Sequence, residues 1–231
     1  MAADVTRLSK LVRDFLLLIL VISILSACDK LPFGEILFTE EKSDAVQDTQ
    51  TLFWDNFSDS NSGWDHMQSE AGSTDYEDGA YHIVVNEINT DYFATPYKSF
   101  SNVRIEVDAT KISGTDDNNF GIICRYRDEQ NFYLGQIKSD GFFGIFKVKD
   151  GEYIQLGADM MQTSDLINQG DATNHLQLDC VEQNLGLTIN GTQLILVQDA
   201  EFSAGDVGLL AGAFRTSGVH IAFDNFGVYQ P

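Results

Sequence analysis

The segment Leu185-Gly186-Leu187-Thr188-Ile189-Asn190-Gly191-Thr192-Gln193-Leu194-Ile195-Leu196-Val197 places two short apolar runs on either side of Asn190-Gly191. Asn-Gly between two such runs is the strongest short-range signal for a two-residue β-hairpin turn, because both turn positions need a positive φ. Residues 185–189 and 192–197 are therefore predicted to be paired antiparallel strands.

Working outward, the chain keeps the same period of two from Leu52 to its end. Apolar and polar residues alternate at 81–85 and 103–110, and the strand-like segments 131–138 and 142–149 flank a short turn. Further turn pairs occur at 78–79, 113–114, 150–151, 205–206 and 217–218. One short helix is expected at most, at Ser164–Gln169. Many short strands with no long helical pattern predict an all-β fold, a two-sheet antiparallel sandwich.

Residues 1–27 have the layout of a secretory signal, with three basic residues before an apolar run at 15–25. The run ends in Leu25-Ser26-Ala27-Cys28, which resembles a bacterial lipobox. The resemblance implies that the signal is removed and that Cys28 becomes the lipidated N-terminus. It predicts an extracytoplasmic lipoprotein anchored to the bacterial cell membrane.

Two other interpretations of the apolar run stay open. An uncleaved membrane-spanning helix would need about 20 apolar residues, and this run offers roughly half of that. Simple secretion would leave Cys28 incidental. Residues 28–51 are predicted to be the lipidated N-terminus and an acidic tether, because residues 40–51 are polar and lack periodicity. Residues 52–231 are predicted to be the sandwich domain.

The formal net charge of −21 limits the partners that the chain can have. Nucleic acid is excluded as a partner, because its phosphates require Lys and Arg. The excess of Asp and Glu favours solubility, and divalent-cation binding is the alternative interpretation.

Two cysteines remain once Cys28 is assigned to lipid. Phe120, Ile122, Cys124 and Tyr126 are predicted to share one strand face, and Leu176, Leu178 and Cys180 another. Both thiols should then point into the core, and an oxidising compartment favours a disulfide between Cys124 and Cys180. Two buried free thiols are the alternative.

The order of motifs resembles the concanavalin A-like jelly roll, found in laminin-G-like modules, family-sixteen glycosidases and 3-keto-disaccharide hydrolase-like domains. The motifs that carry the resemblance are the following: Trp54-Asp55-Asn56-Phe57-Ser58, Gly63-Trp64, Tyr76-Glu77-Asp78-Gly79-Ala80-Tyr81, Phe120-Gly121-Ile122-Ile123-Cys124-Arg125-Tyr126, Asn131-Phe132-Tyr133, Asn174-His175-Leu176, Ile189-Asn190-Gly191, Gly205-Asp206-Val207-Gly208-Leu209 and Phe223-Asp224-Asn225-Phe226. They are mostly turn and core positions. They imply a jelly-roll sandwich over residues 52–231 and leave the function open.

Retaining glycosidases need two carboxylates about 5–5.5 Å apart. Family-sixteen enzymes carry them as Glu-x-Asp-x-Glu on one strand, and Glu106-Val107-Asp108-Ala109-Thr110 is the nearest match. Thr110 replaces the acid/base glutamate and cannot donate a proton near neutral pH. No catalytic residue is therefore assigned, and an ordinary solvent-facing strand is the simpler interpretation.

The resemblance also implies a structural calcium ion between the first and last strands. Asp224, Asn56 and the carbonyl of Gly79 are the candidate ligands, since Ca²⁺ takes six to eight oxygens. The alternative role of Asp224 is to accept backbone hydrogen bonds. The loop Asp116-Asp117-Asn118-Asn119 is a second group of oxygen ligands.

Sugar binding would require exposed aromatic rings. Two clusters are candidates, Tyr92, Phe93 and Tyr97 in an irregular segment, and Phe142 and Phe143 beside a hairpin turn. Filling of the sandwich core is the alternative role. The sequence thus favours non-catalytic binding of a glycan. A sugar-active enzyme such as a glycoside hydrolase and a module that contacts protein are the alternatives.

Overall fold

The computed structural model describes residues 50–231. The predicted signal, the lipidation site Cys28 and the tether up to residue 49 lie outside the described residues. The first strand begins at Thr51, one residue before the predicted domain boundary.

The described chain forms seventeen strands. They are β1 (Thr51–Asp55), β2 (Met67–Gln68), β3 (Gly72–Glu77), β4 (Ala80–Val85), β5 (Thr90–Ala94), β6 (Ser99–Phe100), β7 (Val103–Ser113), β8 (Asn118–Asp128), β9 (Asn131–Ile137), β10 (Phe142–Lys149), β11 (Glu152–Leu156), β12 (Gln162–Thr163), β13 (Thr173–Val181), β14 (Asn184–Ile189), β15 (Thr192–Gln198), β16 (Gly205–Ala213) and β17 (Val219–Tyr229).

These strands form two antiparallel sheets. The first sheet has the order β15-β14-β13-β7-β17-β4-β3-β2, with β1 added beside β17. The second has the order β11-β10-β9-β8-β16-β5, with β12 beside β10 and β6 beside β16. The predicted two-sheet antiparallel jelly-roll sandwich is confirmed.

The core lies between the sheets, because alternate residues of each strand point inward. In β7 the inward residues Val103, Ile105, Val107 and Ala109 are buried, while the residues between them are partly exposed. In β4 the same alternation buries Tyr81, Ile83 and Val85.

The tight turns agree with the sequence pattern. Asn190-Gly191 joins β14 to β15, with φ of 50° and 81°. Asp78-Gly79 and Asp150-Gly151 close two further hairpins, and all four residues also have positive φ. Such values suit Asn, Asp and Gly and twist the hairpin in the direction of its strands.

The prediction of a short helix at Ser164–Gln169 was wrong, because this segment forms a turn. The Asn168 N–H donates to Asn174 Oδ1 at 2.8 Å, and Asn174 Nδ2 donates to the Asn168 carbonyl at 2.9 Å. The side chain of Asn174 thus binds the backbone groups that a helix would have paired internally. No helix in residues 50–231 is long and apolar enough to cross a membrane.

The prediction that Tyr126 shares a face with Cys124 was also wrong. Between them Arg125 has a φ of 52°, and the pairing of β8 with β16 shifts by one residue there. This β-bulge reverses the alternation. Cys124 stays in the core, whereas Tyr126 packs on the outer face of the second sheet.

The bulge buries Arg125, which is only 2% exposed. Its guanidinium donates to three backbone carbonyls, those of Ser101 at 3.2 Å, Phe202 at 2.7 Å and Glu182 at 2.8 Å. Burial lowers the pKa of this guanidinium. Three hydrogen bonds offset part of the cost of burying the charge and fix three separate connections of the chain.

Cys124 of β8 and Cys180 of β13 form a disulfide, as predicted. Both residues are fully buried. Because β8 and β13 belong to different sheets, the bond joins the two sheets through the core.

Replacing both cysteines by alanine should reduce the free energy of unfolding. The bond joins residues 56 apart, and constraint of that loop in the unfolded chain is worth about 4 kcal/mol in the chain-entropy model. Urea denaturation without reductant measures the loss. Wild-type protein with reductant is the control and should lose a similar amount, whereas unchanged midpoints in both samples would contradict this role of the disulfide.

Candidate functional site

The outer face of the second sheet is strongly curved. Tyr153 lies on edge strand β11 and Asp91 on the opposite edge strand β5. Five strand spacings of about 4.8 Å would separate these edges in a flat sheet, which is farther than the two side chains reach together. Yet Tyr153 Oη donates to Asp91 Oδ2 at 2.8 Å. This hydrogen bond, here called the Asp91–Tyr153 bridge, shows that the sheet folds over its own outer face.

The floor of this concave face is apolar. Ile123, Leu134 and Leu210 are fully buried although they point away from the main core. The rings of Phe93 and Phe132 pack over them with Tyr126. The concave face therefore has a small hydrophobic core of its own.

A cavity of about 450 Å³ lies on one side of the bridge. We call it the amide pocket, because four amide side chains contribute to its wall, those of Asn89, Asn119, Gln136 and Gln155. Its other lining residues are Thr90, Asp91, Phe146, Tyr153, Met161, Ala213 and Phe214. Amides and a carboxylate thus stand beside aromatic rings, a combination that suits ligands with both polar and apolar faces.

Asn119 connects the polar groups of the amide pocket. Its Nδ2 donates to Asp91 Oδ1 and to Gln136 Oε1, both at 3.1 Å. The Asp91 carboxylate accepts only, which fixes the orientation of the amide. Asn119 is 2% exposed, and its Oδ1 has no hydrogen-bond partner within the described chain. A buried acceptor of this kind is stabilised by a donor from a ligand or from water.

Gly212 makes the Asn119–Asp91 contact possible. It lies on β16, opposite Asp91 of β5 on one side and Asn119 of β8 on the other. A Cβ at this position would overlap both Asp91 Oδ1 and Asn119 Oδ1. The two side chains approach each other across the strand because residue 212 has no side chain.

Burial raises the pKa of Asp91 above its ordinary value, while the hydrogen bonds from Tyr153 and Asn119 act in the opposite direction. Burial, and then the charge of Asp91, raise the pKa of Tyr153. Tyr153 therefore stays protonated as the donor of the bridge, and Asp91 is a carboxylate that the fold holds at a cost.

A second cavity, of about 500 Å³, lies on the other side of Asp91. We call it the acidic pocket, because Asp65, Glu129 and Asp206 join Asp91 in its wall. The remaining lining residues are His66, Met67, Thr74, Tyr92, Phe93, Thr95, Tyr97 and Tyr126. Burial, and then the charge of Asp65, raise the pKa of Asp206. Burial raises the pKa of Tyr126 to about 12.

Most cations of the described domain are engaged, whereas Arg215 is 90% exposed and lies 3.9 Å from Asp117. Each Lys and Arg of residues 50–231 meets a carboxylate, a backbone carbonyl or an aromatic ring. Carboxylates pair with Arg104, Lys111, Lys138, Lys147, Lys149 and Arg215, carbonyls accept from Arg125, and aromatic rings lie under Lys98 and Arg127. The large surplus of carboxylates is left without cationic partners.

The structure separates the two predicted aromatic clusters. Tyr92, Phe93 and Tyr97 all line the acidic pocket. Phe142 lies below the ammonium group of Lys138, 5.4 Å from its ring centre. Phe143 is buried in the main core, so this residue fills the sandwich instead of facing a ligand.

Glu106 and Asp108 lie on the outer face of the first sheet, away from the concave face. Asp108 Oδ1 is 2.7 Å from His175 Nδ1, and Glu106 Oε2 is 3.8 Å from His175 Nε2. Asn225 Nδ2 donates to Asp108 Oδ2 at 3.0 Å. Both carboxylates are thus placed beside a histidine on an open sheet surface.

The proposed calcium ligands make local hydrogen bonds. Asp224 Oδ1 accepts from the Asn225 N–H at 2.7 Å, and Asn56 Oδ1 accepts from Ser58 Oγ at 2.8 Å. Gly79 lies in the β3–β4 turn. Calcium at these residues stays a prediction.

The oxygen-bearing side chains of the loop at residues 116–119 interact with different partners and do not converge on one point. The Asp116 carboxylate pairs with Lys111. Asp117 pairs with Lys138 at 2.6 Å, and Asn119 turns into the amide pocket.

Sequence reasoning missed most of the amide pocket. Asp91, Tyr153 and Phe214 are far apart along the chain, and no local motif joins them. One signal was present in β8 and β9, where consecutive residues such as Ile122-Ile123 and Phe132-Tyr133-Leu134 are all apolar. A strand that is apolar on both faces indicates that its outer face is covered as well.

Comparison with known proteins identifies the fold. No protein-family model and no curated protein matches the chain. A carbohydrate-binding module from Bacillus subtilis matches with a TM-score of 0.50 and 19% identity, over 72% of this chain and 95% of the module. A Bacillus subtilis protein of unknown function with a galectin-like fold matches with a TM-score of 0.57 and 10% identity, over 79% of this chain and 98% of that one.

The catalytic domain of a laminarinase, an endo-1,3-beta-glucanase from Thermotoga petrophila, is also similar. It matches with a TM-score of 0.53 and 11% identity, over 79% of this chain and 98% of that domain. The fold is a concanavalin A-like β-sandwich, as the sequence resemblance implied. At identities this low the similarity establishes the fold alone.

Replacing Asp91 by asparagine should remove a pH dependence of stability. The raised pKa of Asp91 means that its ionised form is disfavoured in the folded state, so the contribution of Asp91 to stability falls as pH rises through the folded-state pKa. Asparagine also turns one of the two acceptor oxygens into a donor, which disturbs the hydrogen bonds from Asn119 and Tyr153 at every pH. The melting temperature of Asp91→Asn relative to the wild type should therefore be higher at pH 7 than below the ordinary Asp pKa of about 3.9. Thermal unfolding of both proteins across this pH range is the measurement. Asp165→Asn, on an exposed turn, is the control and should show no such change with pH. A difference between Asp91→Asn and the wild type that stays constant with pH would contradict the raised pKa of Asp91.

Proposed function

We propose that this chain is a non-catalytic glycan-binding domain whose ligand occupies the concave face of the second sheet. The observation that carries the proposal is the amide pocket, a cavity of about 450 Å³ in which amide and carboxylate groups lie beside three aromatic rings. Sugars present hydroxyl groups at their edges and C–H groups on their faces. Amides and carboxylates suit the edges, and the rings of Phe146, Tyr153 and Phe214 suit the faces.

Asn119 holds the polar wall of the pocket in place. Both hydrogens of its amide are used within the protein, at Asp91 and Gln136. Its Oδ1 is buried beneath the pocket surface without a partner among the described residues, so a sugar hydroxyl would reach it only after a shift of the neighbouring side chains. The carbohydrate-binding module among the similar structures supports the same class of ligand.

The charge of the site favours a neutral glycan. Asp91 stands between the two pockets, and Asp65, Glu129 and Asp206 line the acidic pocket. Uronic acids or sulfated sugars would bring further negative charge into this partly desolvated region. Neutral hexose or pentose polymers avoid that repulsion.

The arrangement supports binding over catalysis. Glycoside hydrolysis uses a pair of carboxylates on either side of the scissile bond. Among the described residues that line the amide pocket, Asp91 is the one carboxylate. Glu106 and Asp108 lie on the other sheet and interact with His175.

The experiment is a binding titration of the full chain, purified in detergent, against neutral glucans, xylans and fructans and against the acidic polymers alginate and pectin. A neutral polymer should bind, and Phe214→Ala and Gln155→Ala should each weaken it by about tenfold or more. Loss of one well-placed polar or stacking contact is worth about 1–2 kcal/mol, and 1.4 kcal/mol corresponds to tenfold.

Gln193→Ala is the matched control, because Gln193 is exposed on β15 of the first sheet. It should bind like the wild type. If neither pocket variant weakens binding, the ligand binds outside the amide pocket. If the chain prefers the acidic polymers, the argument from charge is overturned. Release of new reducing ends would favour the sugar-active enzyme instead.

The proposal includes a lipid anchor at Cys28, which the lipobox of residues 25–28 supports. Two acyl chains on the modified cysteine would hold the domain stably on a membrane, whereas one chain is marginal. The domain would then face the extracytoplasmic side of the bacterial cell membrane.

Cys28→Ala should move the protein from the membrane fraction to the soluble fraction, or leave the precursor uncleaved. Fractionation followed by mass spectrometry of the N-terminus is the measurement. Ser26→Thr, which the lipobox pattern tolerates, is the control and should stay in the membrane fraction. A wild-type N-terminus without lipid mass would contradict the anchor.

A further inference from the structure

Three side chains on the outer face of the first sheet form a separate cluster. They are Glu77 on β3, His82 on β4 and His220 on β17, and these strands are neighbours in the sheet. His220 lies opposite Val84 in the pairing of β17 with β4, two residues from His82. Glu77 lies opposite Ala80, again two residues from His82. Such diagonal neighbours share a face, and long side chains on them can meet.

The side chains do meet. His82 Nδ1 and His220 Nε2 are 2.7 Å apart, and Glu77 Oε2 is 3.9 Å from His82 Nδ1. One potential ligand atom from each residue lies within 4.8 Å of the others. Two imidazole nitrogens facing each other are held together either by a shared proton or by an ion that binds both lone pairs.

We propose that Glu77, His82 and His220 bind one divalent transition-metal ion of the Zn²⁺ class. Imidazole and carboxylate together suit Zn²⁺, whereas Mg²⁺ and Ca²⁺ prefer oxygen ligands alone. Ligands about 2.0–2.1 Å from a tetrahedral Zn²⁺ lie roughly 3.4 Å apart. The observed separations of 2.7 and 3.9 Å bracket that value, so small side-chain rotations would complete the geometry.

The surroundings favour the cluster as a site. The His82 side chain is 14% exposed and therefore held in place, while Glu77 is 66% exposed and open to an ion from solution. Three protein ligands leave a fourth position for water. A bound ion would join three neighbouring strands. This site lies on the sheet opposite the amide pocket and does not depend on glycan binding.

The test is a titration of Zn²⁺ into the full chain, purified in detergent and freed of metal with a chelator. We expect one Zn²⁺ per chain and a rise in melting temperature that grows with Zn²⁺ concentration. Loss of an outer partner of a metal ligand typically costs about 10–100-fold in affinity, so His82→Ala or His220→Ala should cost at least tenfold. Co²⁺ in place of Zn²⁺ should give visible d–d absorption that both variants lose.

His175→Ala is the matched control. His175 lies on the same sheet face beside two carboxylates, but it has no second imidazole next to it. Its replacement should leave Zn²⁺ affinity unchanged. Glu77→Gln separates metal binding from folding. Because Glu77 is exposed, its replacement should lower the affinity for Zn²⁺ without changing the melting temperature of the metal-free protein. Wild-type protein that binds no Zn²⁺, or equal affinity in the His82→Ala/His220→Ala double variant, would overturn the proposal.

Discussion

The left-handed backbone of Arg125 is the constraint on which the concave face depends. A positive φ at a long side chain is unfavourable, and a buried guanidinium is costly to desolvate. Three backbone carbonyls from three connections accept hydrogen bonds from the guanidinium and offset part of the cost of its burial. Because the bulge reverses the alternation of β8, Tyr126 turns outward and joins Phe93 and Phe132. Without that reversal the tyrosine would compete for space in the main core, beside the disulfide at Cys124.

The fold could be predicted from the sequence and the amide pocket could not, because the sequence patterns that predict structure are local. Alternation and turn chemistry are local, so strands such as β7 and hairpins such as the one at Asn190-Gly191 could be predicted from adjacent residues. The disulfide followed from alternation too, since Cys124 and Cys180 both point inward. The amide pocket depends instead on strand order and sheet curvature. Asp91 and Tyr153 meet across the whole sheet, and no local pattern encodes that meeting.

Errors in the sequence interpretation occurred where a side chain replaced a regular backbone interaction. Arg125 binds carbonyls and shifts the register of β8, which moved Tyr126 to the other face. Asn174 binds the backbone of Asn168 and prevents a helix in that turn. The acidic loop at residues 116–119 resembled a cation site, yet Lys111 on the preceding strand neutralises Asp116 and Lys138 on the β9–β10 turn neutralises Asp117. Each case requires knowledge of a partner that is distant or structurally unexpected.

The surplus of carboxylates over lysines and arginines has a kinetic consequence. A cation paired with a carboxylate cancels one negative charge in the field that a distant molecule experiences, and the carboxylates left over give the chain its formal net charge of −21. At physiological ionic strength that field extends about 8 Å beyond the surface. Anionic polymers and anionic surfaces are slowed before they reach either pocket, whereas uncharged molecules arrive at the ordinary diffusional rate. The first discrimination between partners is therefore made in the solvent layer around the protein, ahead of any contact with its side chains.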